Sequence, residues 1–188
     1  MRDAHNTQES VIRAYNLKMT DEKLVNLFGA LALAVADDLL AEAQSQAPEP
    51  GPAAAAVSLL RHEPGMSIDQ LRRGLSLSHP GAVRLVDRLA GDGLVERQIS
   101  TRDRRAVSLH LTRVGEGACS RIRAARAVSV GRALDALSPD ERATLSVLVE
   151  KMLPAMVRGE DHAYAVCRLC DEAACRECPV HAAVSVQC

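Results

Sequence analysis

Tryptophan is absent from this chain of 188 residues, which carries one Phe and two Tyr. Reading unpaired bases needs aromatic stacking platforms, so a single-strand nucleic-acid binder is not expected. With 47% hydrophobic residues the core must instead be built from Leu, Val, Ile and Ala on helices. Net charge is equally scant: 23 Lys and Arg face 24 Asp and Glu, which excludes a generic polyanion binder. The histidines (His5, His62, His79, His110, His162, His181) are scattered without a motif, and the glycines form no nucleotide-binding pattern. An enzyme, redox enzymes included, is therefore not expected. No apolar run is read as long enough to cross a bilayer, and Met1–Ser10 is polar rather than signal-like, so the expectation is a cytoplasmic protein without a membrane partner.

What the chain does have is a local imbalance of charge. From Ser67 to Arg113 nine arginines face five acids, an excess of four, whereas from Asp21 to Leu60 six acids face one lysine. The basic stretch also has the clearest local pattern. Ser67 caps a short helix ending near Gly74, and Ser78 caps a longer one with Pro80 in its first turn, where a missing N–H costs little. Val83, Leu85, Val86 and Leu89 form its inward side, and Gly81, Arg84 and Arg88 lie on one outward stripe. Gly91-Asp92-Gly93 ends it. Two strands follow, Leu94–Ile99 and Ala106–Leu111, the second alternating Val107, Leu109 and Leu111 with Ser108 and His110.

A helix that enters a major groove needs small residues for close approach and long donors for base edges and phosphates. Gly81 and Ala82 suit the first need; His79, Arg84 and Arg88 suit the second. Ser76 and Ser78 can bond phosphate through hydroxyl and backbone N–H groups. The bland alternative pairs Arg84 with Asp87 along an exposed helix. The loop between the strands favours the first reading. It carries Arg102, Arg104 and Arg105 around Asp103, and such a wing puts arginine into a minor groove, where negative potential is enhanced.

With these residues in place, the segment resembles the winged helix-turn-helix of the MarR family of transcriptional regulators. The resemblance rests on Asp103-Arg104-Arg105-Ala106-Val107-Ser108-Leu109-His110-Leu111-Thr112, preceded by LVDRLAGDGLVER from Leu85 to Arg97. It implies that Asp103 orients Arg105 into the minor groove. It also implies helices before and after the wing that form a dimer interface, and a small-molecule effector in the crevice between winged domain and dimer helices. Ala82 replaces the polar residue usual two places after Pro80, so base preference is not carried over.

The organisation expected is mainly α with a small β-wing, dimeric through N- and C-terminal helices. Residues 1–20 read as a flexible arm, with Thr20 capping a dimerisation helix over 21–47 on the stripe Leu24, Leu27, Phe28, Leu31, Val35 and Leu39. A second helix spans Ala53 to about His62, and 53–112 is the DNA-binding domain. Residues 113–159 hold two further dimerisation helices, one from Thr112 with Val114, Ala118, Ile122, Val128 and Leu134. The other starts at Ser138-Pro139-Asp140-Glu141 and carries Leu145, Leu148, Val149, Met152 and Met156. These stripes exceed what so small a domain can cover, which predicts a homodimer reading a palindromic site in double-stranded DNA, most simply as a repressor.

Past Gly159 the helical pattern dissolves. Residues 160–188 read as a cysteine-rich tail in which Cys167, Cys170, Cys175 and Cys178 make a CxxC–x4–CxxC run. A metal centre is favoured. Iron–sulfur leads zinc because Cys170-x4-Cys175-x2-Cys178 matches a ferredoxin spacing and Pro179 follows the last cysteine, whereas zinc modules usually separate their pairs further. Redox-sensing disulfides and unliganded thiols are the remaining readings. His162 and His181 flank the run as substitute ligands or, more simply, exposed polar residues. Cys119 is read as a small core residue, and Cys188 has no assigned role. A helical scaffold whose cysteine tail binds another protein is the alternative to a regulator.

Overall fold

The computed structural model describes residues 3–47, 49, 51–99, 107–175 and 177–185. It divides into two units, Met1–Asp38 and Leu39–Cys188, the first helix crossing the boundary. That helix, α1, spans Asp3–Ser45. It begins far ahead of the expected cap at Thr20, which is an interior residue. The reason is local: no Pro or Gly interrupts the chain before Gly29, so nothing stops a helix from running back through the polar segment.

Within the first unit Leu24, Leu27, Phe28 and Leu31 are all exposed. The premise that no apolar run reaches bilayer length does not hold here. Asp21–Ser45 has a mean hydropathy of 1.8 in an 18-residue window with no more than two charged residues, enough by length and composition to cross a membrane. A stripe count asks only which residues share a face. It therefore missed how few polar residues occupy the opposite one. The core helix of a soluble protein and a signal sequence pass the same test.

The second unit is built around α2 (Ala53–His62), α3 (Ile68–Gly74) and α4 (His79–Gly91). Ser67 caps α3 reciprocally with Gln70: the Gln70 backbone N–H donates to the Ser67 hydroxyl while the Gln70 side-chain Oε1 accepts from the Ser67 N–H. At the other end Leu77 N–H donates to Arg72 O (2.8 Å) and Ser76 N–H to Arg73 O (3.1 Å). This paired C-terminal bonding normally places glycine at the left-handed position, yet Ser76 holds it, with φ 54°. The turn thereby aims α4 away from α3. Ser78 accepts from Gly81 N–H and caps α4, whose Leu85, Val86 and Leu89 are buried, each stabilising by about 1.5–3 kcal/mol.

Strands β1 (Val95–Ile99) and β2 (Val107–Leu111) pair antiparallel in the register Val95↔Leu111 to Ile99↔Val107. Leu109 also exchanges bonds with the loop after α2, Gly65 N–H donating to its carbonyl and its own N–H donating to Met66 O, both 2.9 Å. Helix α5 (Arg113–Leu134) starts from the Thr112 cap so close to the hairpin that a methyl group on Gly115 would lie 2.1 Å from Leu94 O. Its inward face is Gly115, Ala118, Cys119, Ile122 and Ser129. Val114 and Val128 are exposed, because their positions fall on the other side of the 3.6-residue period. Helix α6 (Pro139–Met156) has the expected box of Ser138 and Glu141 and buries none of its residues. Leu148, Val149, Met152 and Met156 face outward.

Past Gly159 the chain is folded rather than patternless. Helix α7 (Glu160–Cys167), a 3-10 turn (Glu172–Ala174) and α8 (Pro179–Ser185) enclose a small core of Val157, Ala163, Cys167 and Val180. Leu169, between two of the clustered cysteines, joins the main core of the winged domain at 6% exposure. Arg73–Asp161 (3.0 Å) ties α7 to α3, and Arg123–Asp171 (2.8 Å) ties the 3-10 region to α5. The cysteine-bearing segment is thus part of the domain.

Candidate nucleic-acid interface and thiol cluster

The residues expected to meet DNA separate cleanly by exposure. Ser76, Ser78, His79, Arg84 and Arg88 are on the surface at the α3–α4 turn and along α4, and Gly81 is half-buried beneath the Ser78 hydroxyl. Ala82 is not on that face. It is fully buried, so it serves packing, and Gly81 alone provides a small residue at the helix start. Arg102, Asp103, Arg104 and Arg105 lie outside the described residues.

Ion pairing then sorts the arginines. Asp69 binds both Arg72 (2.6 Å) and Arg73, and the Arg72 bond holds its carboxyl below the usual range. Asp87 does not pair with Arg84; it reaches across to Arg97 on β1 at 2.5 Å, fixing hairpin against helix. Arg88 is held by Glu49 (2.5 Å), whose bond raises the guanidinium further above its ordinary value. Among the described residues of α3, α4 and β1, Arg84 is the arginine without an ion-pair partner. A cation with no internal partner on an exposed helix face is free to meet a phosphate or a base edge without first losing a bond.

A short helix, a left-handed turn, an exposed second helix and an antiparallel hairpin braced to it make a winged helix-turn-helix. The sequence pattern of the MarR family matches residues 50–106. Residues 50–106 are thus similar to the winged domain of the MarR family. The regulator PetP of Rhodobacter capsulatus is 32% identical over 104 residues, 55% of this chain and 63% of its own length. The chain spans about 63% of the length of the curated relatives it matches. Among solved structures, a MarR family protein from Bacillus stearothermophilus shares the fold with a TM-score of 0.64 and 23% identity, covering 75% of this chain and 98% of that one. The transcriptional repressor CouR, solved bound to a 23-mer DNA duplex, has a TM-score of 0.54 and 26% identity over 71% of this chain and 94% of its own.

Past residue 159 the thiols of Cys167, Cys170, Cys175 and Cys178 are free and perturb one another's ionisation. The neighbouring Cys167 thiol, and after it the charges of Arg126 and Arg168, favour the Cys170 thiolate and lower its pKa. The Cys170 neighbour and burial push Cys167 up. Burial and the neighbouring Cys178 raise the Cys175 thiol. Cys119 stands apart in the core, where burial raises its thiol pKa, in keeping with a packing role. His162 accepts from Arg158 N–H at the start of α7. His181 meets His62 on α2, a partner 119 positions away that no spacing rule could have indicated.

Proposed function

We propose that this chain is a sequence-specific, double-stranded DNA-binding transcriptional regulator, a repressor, acting as a homodimer on a palindromic operator. The observation that carries the reading is Arg84, unpaired on the exposed face of a capped reader helix inside a segment similar to the MarR winged domain. The likeness to CouR, a repressor solved on a DNA duplex, supports the same mode. Ser76, Ser78 and the N–H groups at the start of α4 fix the helix on phosphates, while His79, Arg84 and Arg88 reach base edges, Arg88 after leaving Glu49. Asp103 and Arg105 work in the adjacent minor groove. The exposed apolar residues of α1 and of α6 each supply surface for a second copy, which sets two reader helices one helical turn apart.

The thiol cluster is the signal-receiving part in this reading, alone or with a small-molecule effector. Cys167, Cys170, Cys175 and Cys178 suit an iron–sulfur cluster or a zinc ion: all four are free, and the surroundings of Cys170 favour its thiolate. A bound cluster supplies redox or assembly sensitivity, and zinc supplies rigidity. Leu169, buried between the first two ligands, and the Arg123–Asp171 and Arg73–Asp161 pairs carry a change there to α5 and α3. Footprinting on the DNA flanking its own gene should protect a two-fold symmetric site of about two helical turns. An anaerobic absorption spectrum with metal analysis decides the cluster: brown protein means iron–sulfur, colourless protein with stoichiometric zinc a structural site, and colourless metal-free protein removes both.

A further inference from the structure

We propose that His62, Glu63 and His181 form a second, thiol-free site for a divalent transition-metal ion of borderline softness, Zn2+ being the type case. His62 is the last residue of α2 and Glu63 follows it, while His181 lies on α8, three positions after Cys178. The two imidazole Nε2 atoms face each other at 3.0 Å, with ring centroids 5.2 Å apart and planes tilted by 57°. The Glu63 carboxylate stands 3.9 Å from the same His62 nitrogen, and one donor atom from each residue lies within 4.8 Å of the others.

Zinc–nitrogen bonds of about 2.0–2.1 Å in a tetrahedral shell put neighbouring donor atoms roughly 3.3 Å apart. The observed 3.0 and 3.9 Å bracket that spacing, so sub-ångström side-chain shifts complete the shell. A metal ion suits the pair, because both facing nitrogens can offer lone pairs to one centre. Two imidazoles and a carboxylate suit Zn2+, Co2+ or Ni2+, ions of borderline softness. Three protein ligands also leave a coordination position open. A cavity of about 360 Å³ borders the site, lined in part by Glu63, His181, Tyr164 and Cys167, so water or a small anion has access.

The site's position gives it a consequence. It pins α8 to the end of α2, next to the Gly65–Met66 backbone that pairs with Leu109 on β2. An ion there braces the thiol-bearing segment against the wing hairpin, independently of what the thiols hold.

Cobalt is the probe, because thiolate ligation gives Co2+ an intense near-ultraviolet charge-transfer band and nitrogen–oxygen ligation gives only weak visible bands. Titrated into the full chain under anaerobic reducing conditions, Co2+ should fill one thiolate class and one class showing visible bands alone. His181→Ala, on the surface, should weaken the second class by more than tenfold, at least the ~10-fold loss that removing even an outer partner of a metal ligand causes, with the charge-transfer band intact. His62→Ala should do the same, and Zn2+ should displace Co2+ from the site in the wild-type chain. Identical Co2+ stoichiometry and spectra in wild type and His181→Ala would overturn the proposal. So would a wild-type chain in which every bound Co2+ shows charge transfer. Should His62→Ala fail to fold, His181→Ala decides.

Discussion

The winged segment and the cysteine-bearing segment share one unit but hold their shapes by different means. The winged segment is specified locally. Ser67 and Ser78 cap its helices, Ser76 turns the chain between them, and Leu85, Val86 and Leu89 recur at helical spacing over a common core. The segment after Gly159 has little of this. Its helices are eight and seven residues long, too short to be stable alone, and they persist because Leu169 is buried in the neighbouring core and Asp161 and Asp171 bind arginines of α3 and α5. One region carries its own instructions; the other borrows them.

Substitutions at the joints of each region test that contrast. The largest effect is expected at Gly115→Ala, where the new methyl meets the Leu94 carbonyl and the hairpin or α5 has to move. Urea unfolding should show a loss of about 3 kcal/mol, and no loss would mean that the α5–wing junction is looser than the structure has it. Leu169→Ala comes next, at about 2–3 kcal/mol in the same assay, since it empties a position in the main core. An unchanged midpoint would make the thiol segment an independent appendage and break the comparison. Ser76→Gly works in the opposite direction. Relieving a non-glycine residue in the left-handed region should stabilise by about 1 kcal/mol, while removing a hydroxyl available to phosphate weakens DNA binding.

The smallest effect is a titration. Tyr164 is pushed up to about 12, first by burial and then by the carboxylates of Glu63 and Glu160. In the unfolded chain a tyrosine ionises near 10, so its share of stability is fully present below that pH and is lost as pH rises from about 10 through about 12. Ultraviolet difference spectra should therefore show one phenol that resists ionisation until about pH 12 in the native protein. A normal titration would place α7 off the surface of α3.

The same division explains what could be read in advance. The limits of α2 and α4 and the caps at Ser67, Ser78, Thr112 and Ser138 depend on residues within a few positions, and each was legible. Exposure at Arg84 was also legible, from the outward stripe. Its lack of an ion-pair partner was not, because Asp87 turns to Arg97 on another element. The inward side of Ala82, the folding of the thiol segment and the meeting of His62 with His181 all depend on long-range packing. The part of α1 ahead of residue 21 was missed for a different reason: Thr20 followed by Asp21 and Glu22 reads as a helix start, and the apolar residues before it are too few to suggest a continuous stripe.

The central claim is that this domain grips duplex DNA through α4 and the wing, and fluorescence anisotropy of the full chain on its operator tests it most directly. The account predicts selective, salt-sensitive binding that weakens about tenfold or more in Arg84→Ala, with a shallower salt dependence, and strongly again in Arg105→Ala, while circular dichroism shows both variants folded. Folded Arg84→Ala and Arg105→Ala proteins that bind the operator as tightly as the unaltered chain would contradict it.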